Sequence, residues 1–283
     1  MAKYVPDINT QRWVIISSQR KGRPEEATYQ KTTGCPFCTG NESMTPPEVY
    51  RIGPGEQDKP GWVVRVVPNK YPITDTHEVI IHSPDDALDI EDLSLEQVTK
   101  ILTCYRDRYR AHDSDGQVII FCNHGFAAGA SLKHPHAQLV VIPRQINLDA
   151  VSREPVANVV EENNAFITYC PDFSQWPFEV WIAPRVENGK FWTLQDSQLP
   201  DLASVLQGAL KRIRSAQDKG YFHSVHEGGA FVYNFYIYHG DNWFIRITPR
   251  FIHRAGFELG TGLSVNVADP TEAAKILRTV AAA

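Results

Sequence analysis

Two stretches decide the architecture: His134-Pro-His136-Ala-Gln138-Leu-Val-Val-Ile142-Pro143-Arg144 and Asn242-Trp-Phe244-Ile-Arg246-Ile-Thr-Pro249-Arg250. Each ends an apolar strand pattern on Pro-Arg, the second about 106 residues after the first. The segments before them match in order. The first copy runs through strand patterns at Trp62 to Val67 and Glu78 to His82, a helix and a strand at Val118 to Cys122. Ser94 with Glu96 caps that helix, and Leu95, Val98, Ile101, Leu102 and Tyr105 recur at helical spacing as far as Tyr109. The second copy has Glu179 to Pro184, a helix from Leu199 to Gln217, and a strand from Phe231 to Tyr238. Such a period is too long for a solenoid. It predicts an α+β fold of two tandem units, each an antiparallel sheet with helices packed on it, dividing as 1–158 and 159–283. The polar run from Gln145 to Asn164, with Pro155 inside it, reads as a connecting helix or linker.

Aligning Pro249 on Pro143 sets Asn242 against His136 and Phe244 against Gln138, so chemistry is expected in the first copy alone. On an extended segment His134, His136 and Gln138 face one way, because side chains alternate across a strand. Backbone amides from Gly129 through Ala130 to Ser131 are placed to cradle a phosphate, and a neutral imidazole is a competent nucleophile toward phosphorus. Surface histidines beside a turn are the bland alternative.

The 283 residues carry a net charge of -5, which offers no basic field for a nucleic-acid backbone and suits small anionic substrates. The start of the chain does not read as a secretory leader, and no apolar run approaches the roughly 18–20 residues of a membrane span, so no membrane partner and a cytoplasmic location are expected. Five cysteines, two of them in Cys35-Pro-Phe-Cys38, suit a metal site in a reducing compartment better than disulfides, with two buried thiols as the alternative. Cys104, Cys122 and Cys170 read as small core residues.

His134-Pro-His136-Ala-Gln138, preceded by Asn123, Gly125, Gly129 and Ser131, resembles the active-site segment of galactose-1-phosphate uridylyltransferases, members of the histidine-triad superfamily. Further motifs fall in family order: Arg20-Lys-Gly-Arg23-Pro24, Gly34-Cys-Pro-Phe-Cys38, Pro46-Pro-Glu48, Val67-Pro-Asn69-Lys-Tyr71-Pro72 and Trp176-Pro-Phe-Glu179. The resemblance implies two histidine-triad-like units and a ping-pong reaction. His136 attacks the α-phosphorus of a nucleotide-sugar, releases a sugar 1-phosphate, and a second sugar 1-phosphate collects the nucleotide. Ser131, Gln138 and backbone amides would neutralise the phosphoryl oxygens. Gln138, where histidine-triad hydrolases carry a third histidine, favours transfer over hydrolysis.

The resemblance also implies roles for other residues. Arg20 and Arg23 match arginines that reach the neighbouring subunit's site, implying a homodimer; Asn69 and Asn123 match residues at the nucleoside and its phosphates; and Phe257 and Glu258 lie in a segment near the hexose. Asn69 also fits a plain turn residue, and the two arginines fit solvated surface. A structural zinc ion would take Cys35, Cys38 and His134. The usual fourth ligand, a histidine, is replaced in Ser83-Pro-Asp85-Asp86, leaving Asp86 or nearby His82. Phe244 and Arg246 stand in the slots of a second, iron-type site, which is expected to be absent. Ser264 stands where a glutamine contacts the sugar in the family, so the hexose stays open, as does uracil against adenine. The leading expectation is a UDP-glucose:hexose-1-phosphate uridylyltransferase. An ADP-sugar phosphorylase or a nucleotide-sugar hydrolase on the same mechanism, and a non-catalytic nucleotide-binding protein, are the alternatives.

Overall fold

The computed structural model describes residues 2–8, 12–22, 34–148, 151–187, 189–222 and 229–280. Strands β1 (Lys3–Pro6) and β2 (Trp13–Ile16) form a separate antiparallel ribbon. The remaining strands are β3 (Tyr50–Ile52), β4 (Val64–Pro68), β5 (His77–Ile81), β6 (Gln117–His124), β7 (His136–Ile142), β8 (Val159–Glu162), β9 (Phe166–Tyr169), β10 (Val180–Pro184), β11 (Tyr233–Ile237) and β12 (Ile245–Pro249). They join in one ten-stranded sheet, ordered β3-β4-β5-β7-β6-β11-β12-β10-β9-β8, with antiparallel pairing throughout.

Taken from each outer edge inward, the two halves of this sheet have the same order: β3-β4-β5-β7-β6 and β8-β9-β10-β12-β11. Helix α1 (Leu95–His112) follows the third strand of the first half, and α2 (Leu199–Asp218) follows the third strand of the second. The units therefore fuse edge to edge, with Ile120 of β6 opposite Ile237 of β11 and Asn123 opposite Asn234. Two shorter helices, α3 (Gly256–Thr261) and α4 (Pro270–Thr279), complete the described chain.

Local sequence accounts for both long helices. The Ser94 hydroxyl accepts the Gln97 amide at 3.1 Å, satisfying a donor that the first turn leaves without a partner. Val98, Ile101, Leu102, Tyr105 and Tyr109 then form one buried stripe. In α2, Leu199, Leu202, Leu206, Leu210 and Ile213 do the same. Both stripes enter one apolar core that spans the two halves. Each fully buried Leu or Ile contributes roughly 1.5–3 kcal/mol, so truncation of Leu206 to Ala costs about 2–5 kcal/mol. Gln207 of α2 ties the halves further, donating to the carbonyls of Ile90 and Leu93 at 2.8 Å each.

The predicted connector is the one element that the structure rewrites. Val159–Glu162 is the outermost strand of the second half, and Phe166–Tyr169 pairs it to β10. An edge strand needs only one apolar face and one bonded side, which is why Val-Val-Glu-Glu reads as polar linker yet pairs.

Candidate active site

The segment leading into β7 is shaped by two glycines with positive φ, Gly125 at 80° and Gly129 at 91°. A Cβ at Gly125 would meet the Val232 side chain at 3.1 Å, so bulk is excluded there as well as strained. The turn consumes its own amides. Ala128 and Ala130 donate to the Gly125 carbonyl, and Gly129 donates to that of Phe126. The expectation that Gly129 and Ala130 present amides to a phosphate is thereby corrected, because the turn closes on them.

His136 opens β7, with Gln138 two residues along the same face, and both line one cleft together with Ser131 and Asn69. The His136 ring donates from Nδ1 to the His134 carbonyl at 2.8 Å. A carbonyl oxygen only accepts, so this bond fixes the proton on Nδ1 and leaves the lone pair on Nε2. The Gln138 Oε1 lies 3.0 Å from His77 Nε2 and 3.5 Å from Asn69 Nδ2. His134 does not share this spot. It precedes the strand, Pro135 intervenes, and its ring turns to the cysteine loop, which corrects the expectation of three side chains facing together.

That loop is built from local bonds. The Glu42 carboxylate accepts the Gly40 amide and Trp62 Nε1 at 2.8 Å, while Asn41 Nδ2 donates to the Cys35 carbonyl. Cys35 Sγ and Cys38 Sγ lie 3.4 and 3.7 Å from His134 Nδ1, and all donor atoms of Cys35, Cys38, Asp86 and His134 fall within 4.8 Å of one another. Sulfur and nitrogen ligands of one tetrahedral zinc sit ~3.5 Å apart, so the cluster fits. The far side of His134 agrees, because its Nε2 donates to the Ser83 carbonyl at 2.8 Å and leaves Nδ1 as the ligating atom. Burial and the nearness of Cys35 and Asp86 push the Cys38 thiol up to about 12. A cation among these groups relieves that crowding of potential negative charge. His82 is placed elsewhere: it is buried, with Nε2 2.6 Å from the Tyr105 hydroxyl, so geometry favours Asp86 as the fourth donor. Phe37, between the cysteines, sets its ring edgewise against both His134 and His136.

The other residues singled out from the sequence divide. Asn69 lines the cleft, its Oδ1 accepting the Tyr71 amide at 2.8 Å. Arg20 lines the cleft of its own chain and donates to the Tyr71 carbonyl at 3.4 Å; Arg23 lies outside the described residues. Asn123, on β6, stands in a smaller hollow on another side of His136. Phe257 and Glu258 are not brought to this cleft: they lie on α3, where the Glu258 carboxylate accepts the Ala255 amide of its own first turn.

Two residues that sequence reasoning missed complete the surroundings. His77 lay just ahead of the strand pattern read from Glu78, and the structure starts β5 one residue earlier, on it. Asn234 belongs to the half without the histidines, yet its Nδ2 donates to Asn123 Oδ1 at 2.8 Å and to the Ala128 carbonyl at 2.9 Å. Just before β12, Phe244 stacks at 4.1 Å on Trp181 and at 4.8 Å on Tyr238, and within the strand Arg246 pairs with buried Glu179. Cys104, Cys122 and Cys170 are buried as expected, and no described helix is long and apolar enough to cross a membrane.

Residues 71–141 match the family described as galactose-1-phosphate uridyl transferase, N-terminal domain. An ADP-glucose phosphorylase of Arabidopsis thaliana is 29% identical over 96% of this chain and 91% of its own length. A galactose-1-phosphate uridylyltransferase of Thermotoga maritima is 25% identical over 95% of each. A solved structure of an ADP-glucose phosphorylase from Arabidopsis thaliana with bound ADP-glucose superposes with a TM-score of 0.74 at 26% identity, over 99% of this chain and 100% of that one.

Proposed function

We propose, from the premise that the chain is an enzyme of the galactose-1-phosphate uridylyltransferase family, that it moves a nucleoside monophosphate from a nucleotide-sugar to a phosphate-bearing acceptor through His136. The observation that carries this reading is the Nδ1–H bond of His136 to the His134 carbonyl beside a cleft that also holds Gln138 and Ser131. In the first step His136 Nε2 forms a P–N bond to the α-phosphorus as the P–O bond to the departing sugar 1-phosphate breaks. In the second, an acceptor phosphate oxygen forms a new P–O bond and the P–N bond breaks, restoring the imidazole. The hydroxyl of Ser131 and the carboxamide of Gln138 stabilise charge on the phosphoryl oxygens. Gln138 carries no ionisable proton, which suits phosphate acceptors over routes that need an acid.

The leading assignment is a hexose-1-phosphate uridylyltransferase of the galactose-1-phosphate type. Phosphorolysis of an ADP-sugar is the second reading, favoured by the 29% identity to a protein of that activity along nearly the whole chain. Zinc held by Cys35, Cys38, Asp86 and His134 would be structural, tying the cysteine loop to the segment that carries His136. Loss of metal to a chelator is expected to lower the melting temperature and slow transfer together.

The proposal includes a homodimer in which Arg20 and Arg23 of one subunit serve the neighbouring site. Arg20 also lines its own cleft, so mixed subunits decide the matter. Activity recovered on mixing His136→Ala with Arg20→Ala chains means service in trans; no recovery means service in cis. The reaction itself is tested by intact mass after mixing with UDP-glucose, UDP-galactose or ADP-glucose and quenching at alkaline pH. An adduct of one nucleoside monophosphate, absent from His136→Ala, is expected and names the base. Chasing it with galactose 1-phosphate or inorganic phosphate names the acceptor; no adduct from any donor overturns the covalent reading.

A further inference from the structure

Gln138 can serve the transferred phosphoryl group only with its NH2 end toward it, since a carboxamide oxygen there would face phosphoryl oxygens and repel them. A carboxamide is nearly symmetric in shape, so something must choose between its two orientations. Nothing on β7 itself does so. The choice is made on the neighbouring strand and its loop.

His77 begins β5, two residues before Val79, which pairs with Gln138, so the imidazole stands diagonally across from the carboxamide on one face. Its ring is buried. The backbone amide of Ile73 donates to its Nδ1 at 2.9 Å, and a peptide N–H has a proton and no lone pair to offer. Nδ1 is therefore the acceptor and Nε2 carries the ring proton. Gln138 Oε1 receives that proton at 3.0 Å.

Asn69 is set by the same logic. Its Oδ1 accepts the Tyr71 amide at 2.8 Å, which turns its Nδ2 toward the same Gln138 oxygen, at 3.5 Å. The 3.2 Å between Asn69 Nδ2 and His77 Nε2 is the approach of two donors sharing one acceptor, because neither nitrogen has a lone pair for the other. Two peptide amides of one loop, at Tyr71 and Ile73, thus fix a tautomer and an amide orientation, and both converge on Gln138 Oε1.

We infer that His77 is a positioning residue of the transfer reaction, holding Gln138 with its NH2 toward the phosphoryl group on His136. This rests on the reading of His136 and Gln138 given above, and it assigns the loop from Asn69 to Ile73 and the start of β5 a task beyond lining the cleft.

Single-turnover nucleotidylation by ADP-glucose and UDP-glucose, followed by intact mass on metal-replete protein, tests it. Relative to wild type at saturating donor, His77→Leu is expected to form the adduct about tenfold more slowly, with donor affinity little changed. His77→Gln should recover most of the rate, since its carboxamide nitrogen can stand where Nε2 stood. In a Gln138→Ala background, His77→Leu should cost nothing more, whereas a merely structural role would cost the same in both backgrounds. A wild-type rate in His77→Leu, or a fully additive loss, overturns the inference. Nitrogen-15 spectra of the ring give an answer without any nucleotide: the Nε2–H tautomer is required, and Nδ1–H overturns it even if no donor reacts. Absence of any adduct in wild type would instead count against His136 chemistry and leave the tautomer to decide the fate of His77.

Discussion

At points of the two halves that the Pro-Arg alignment pairs, Gln138 stands on β7 and Phe244 directly before β12, and their surroundings differ in kind. Gln138 opens on a cleft and is held by donors from the start of β5 and the loop before it, whereas Phe244 is fully buried, sandwiched between Trp181 and Tyr238. Stacked pairs of this kind add about 0.5–1.5 kcal/mol beyond the area they bury. The same strand order therefore serves two ends. One copy keeps polar groups near its surface and holds them by hydrogen bonds; the other fills that space with aromatic rings and a buried ion pair. What distinguishes them is whether the space beside these residues was left open or filled, and the backbone differs with it, since Asn242 turns at a φ of 58° where His136 begins a strand.

The largest test of this contrast is at the aligned pair His136, which heads β7, and Asn242, which precedes β12. His136→Ala is expected to lose transfer by about 10⁴-fold or more, as removal of a covalent nucleophile does, while Asn242→His gains no second reactive site; nucleotide adducts counted by mass check both. A nucleotide adduct on Asn242→His that survives His136→Ala would break the comparison outright.

The buried pair of the second half comes next. Arg246 donates to Glu179 at 3.0 Å, and Trp181 Nε1 donates to the same carboxylate at 2.6 Å. Glu179→Leu strands the guanidinium, so about 3–5 kcal/mol of stability should be lost in denaturant titration, with the rate per folded molecule unchanged. A fall in rate at full stability would show that the silent half acts on the chemistry.

At the compared position itself, Gln138→Ala is expected to slow adduct formation by about 10²–10³-fold without loss of stability. Phe244→Gln should do the reverse, costing about 2–4 kcal/mol by burying an unpaired amide where rings were packed. Kinetics and melting curves of the two variants separate these effects.

The smallest effect concerns charge. The first half holds its own partly buried cluster, in which Arg108 and His112 both bond Glu78. The hydrogen bond to Glu78 raises the His112 pKa above its ordinary value; Asp115 adds to this and burial opposes it. Burial pushes the Glu78 carboxyl up, but His112 and Arg108 more than offset that and hold it low. A raised histidine contributes its full stability below the unfolded value near 6.5 and loses it as pH climbs through the folded value; a depressed carboxylate loses its share as pH falls through its own. The stability difference between wild type and His112→Ala should thus be greatest between about pH 4.3 and 6.5, at most about 1 kcal/mol, and shrink above that. The Glu179–Arg246 pair contains no histidine, so its variant should show no such fade over the same neutral range.

Much of this contrast was legible in the residues. The Pro-Arg strand ends revealed two copies, the Ser94 cap and helical spacing placed α1, and His136 with Gln138 stood out as polar residues at strand spacing. What escaped reading was decided by distant partners. Val159–Glu162 looks like linker because only pairing with Phe166–Tyr169 makes it a strand. His77 looks like any polar strand residue until the Ile73 amide is seen on its ring. Asp86 and His82 were both open as the fourth zinc ligand, and only folding sends His82 to Tyr105 and Asp86 to Cys35, Cys38 and His134. The turn amides misled because the sequence shows glycines but not that the Gly125 carbonyl claims their neighbours.

The seam where β6 meets β11 has a further consequence for how the molecule behaves in company. A strand with a bare flank recruits whatever strand is near, including one from another copy, and β6, eight residues long with alternate residues buried, would be an efficient recruiter. Among the described residues the end strands of the sheet are β3, three residues long, and β8, which carries a register break and two glutamates and has its Val159 carbonyl taken by Arg278 at 2.6 Å. The copy that lacks the histidines thus covers the flank of the one that carries His136, and a first half produced without it is expected to self-associate.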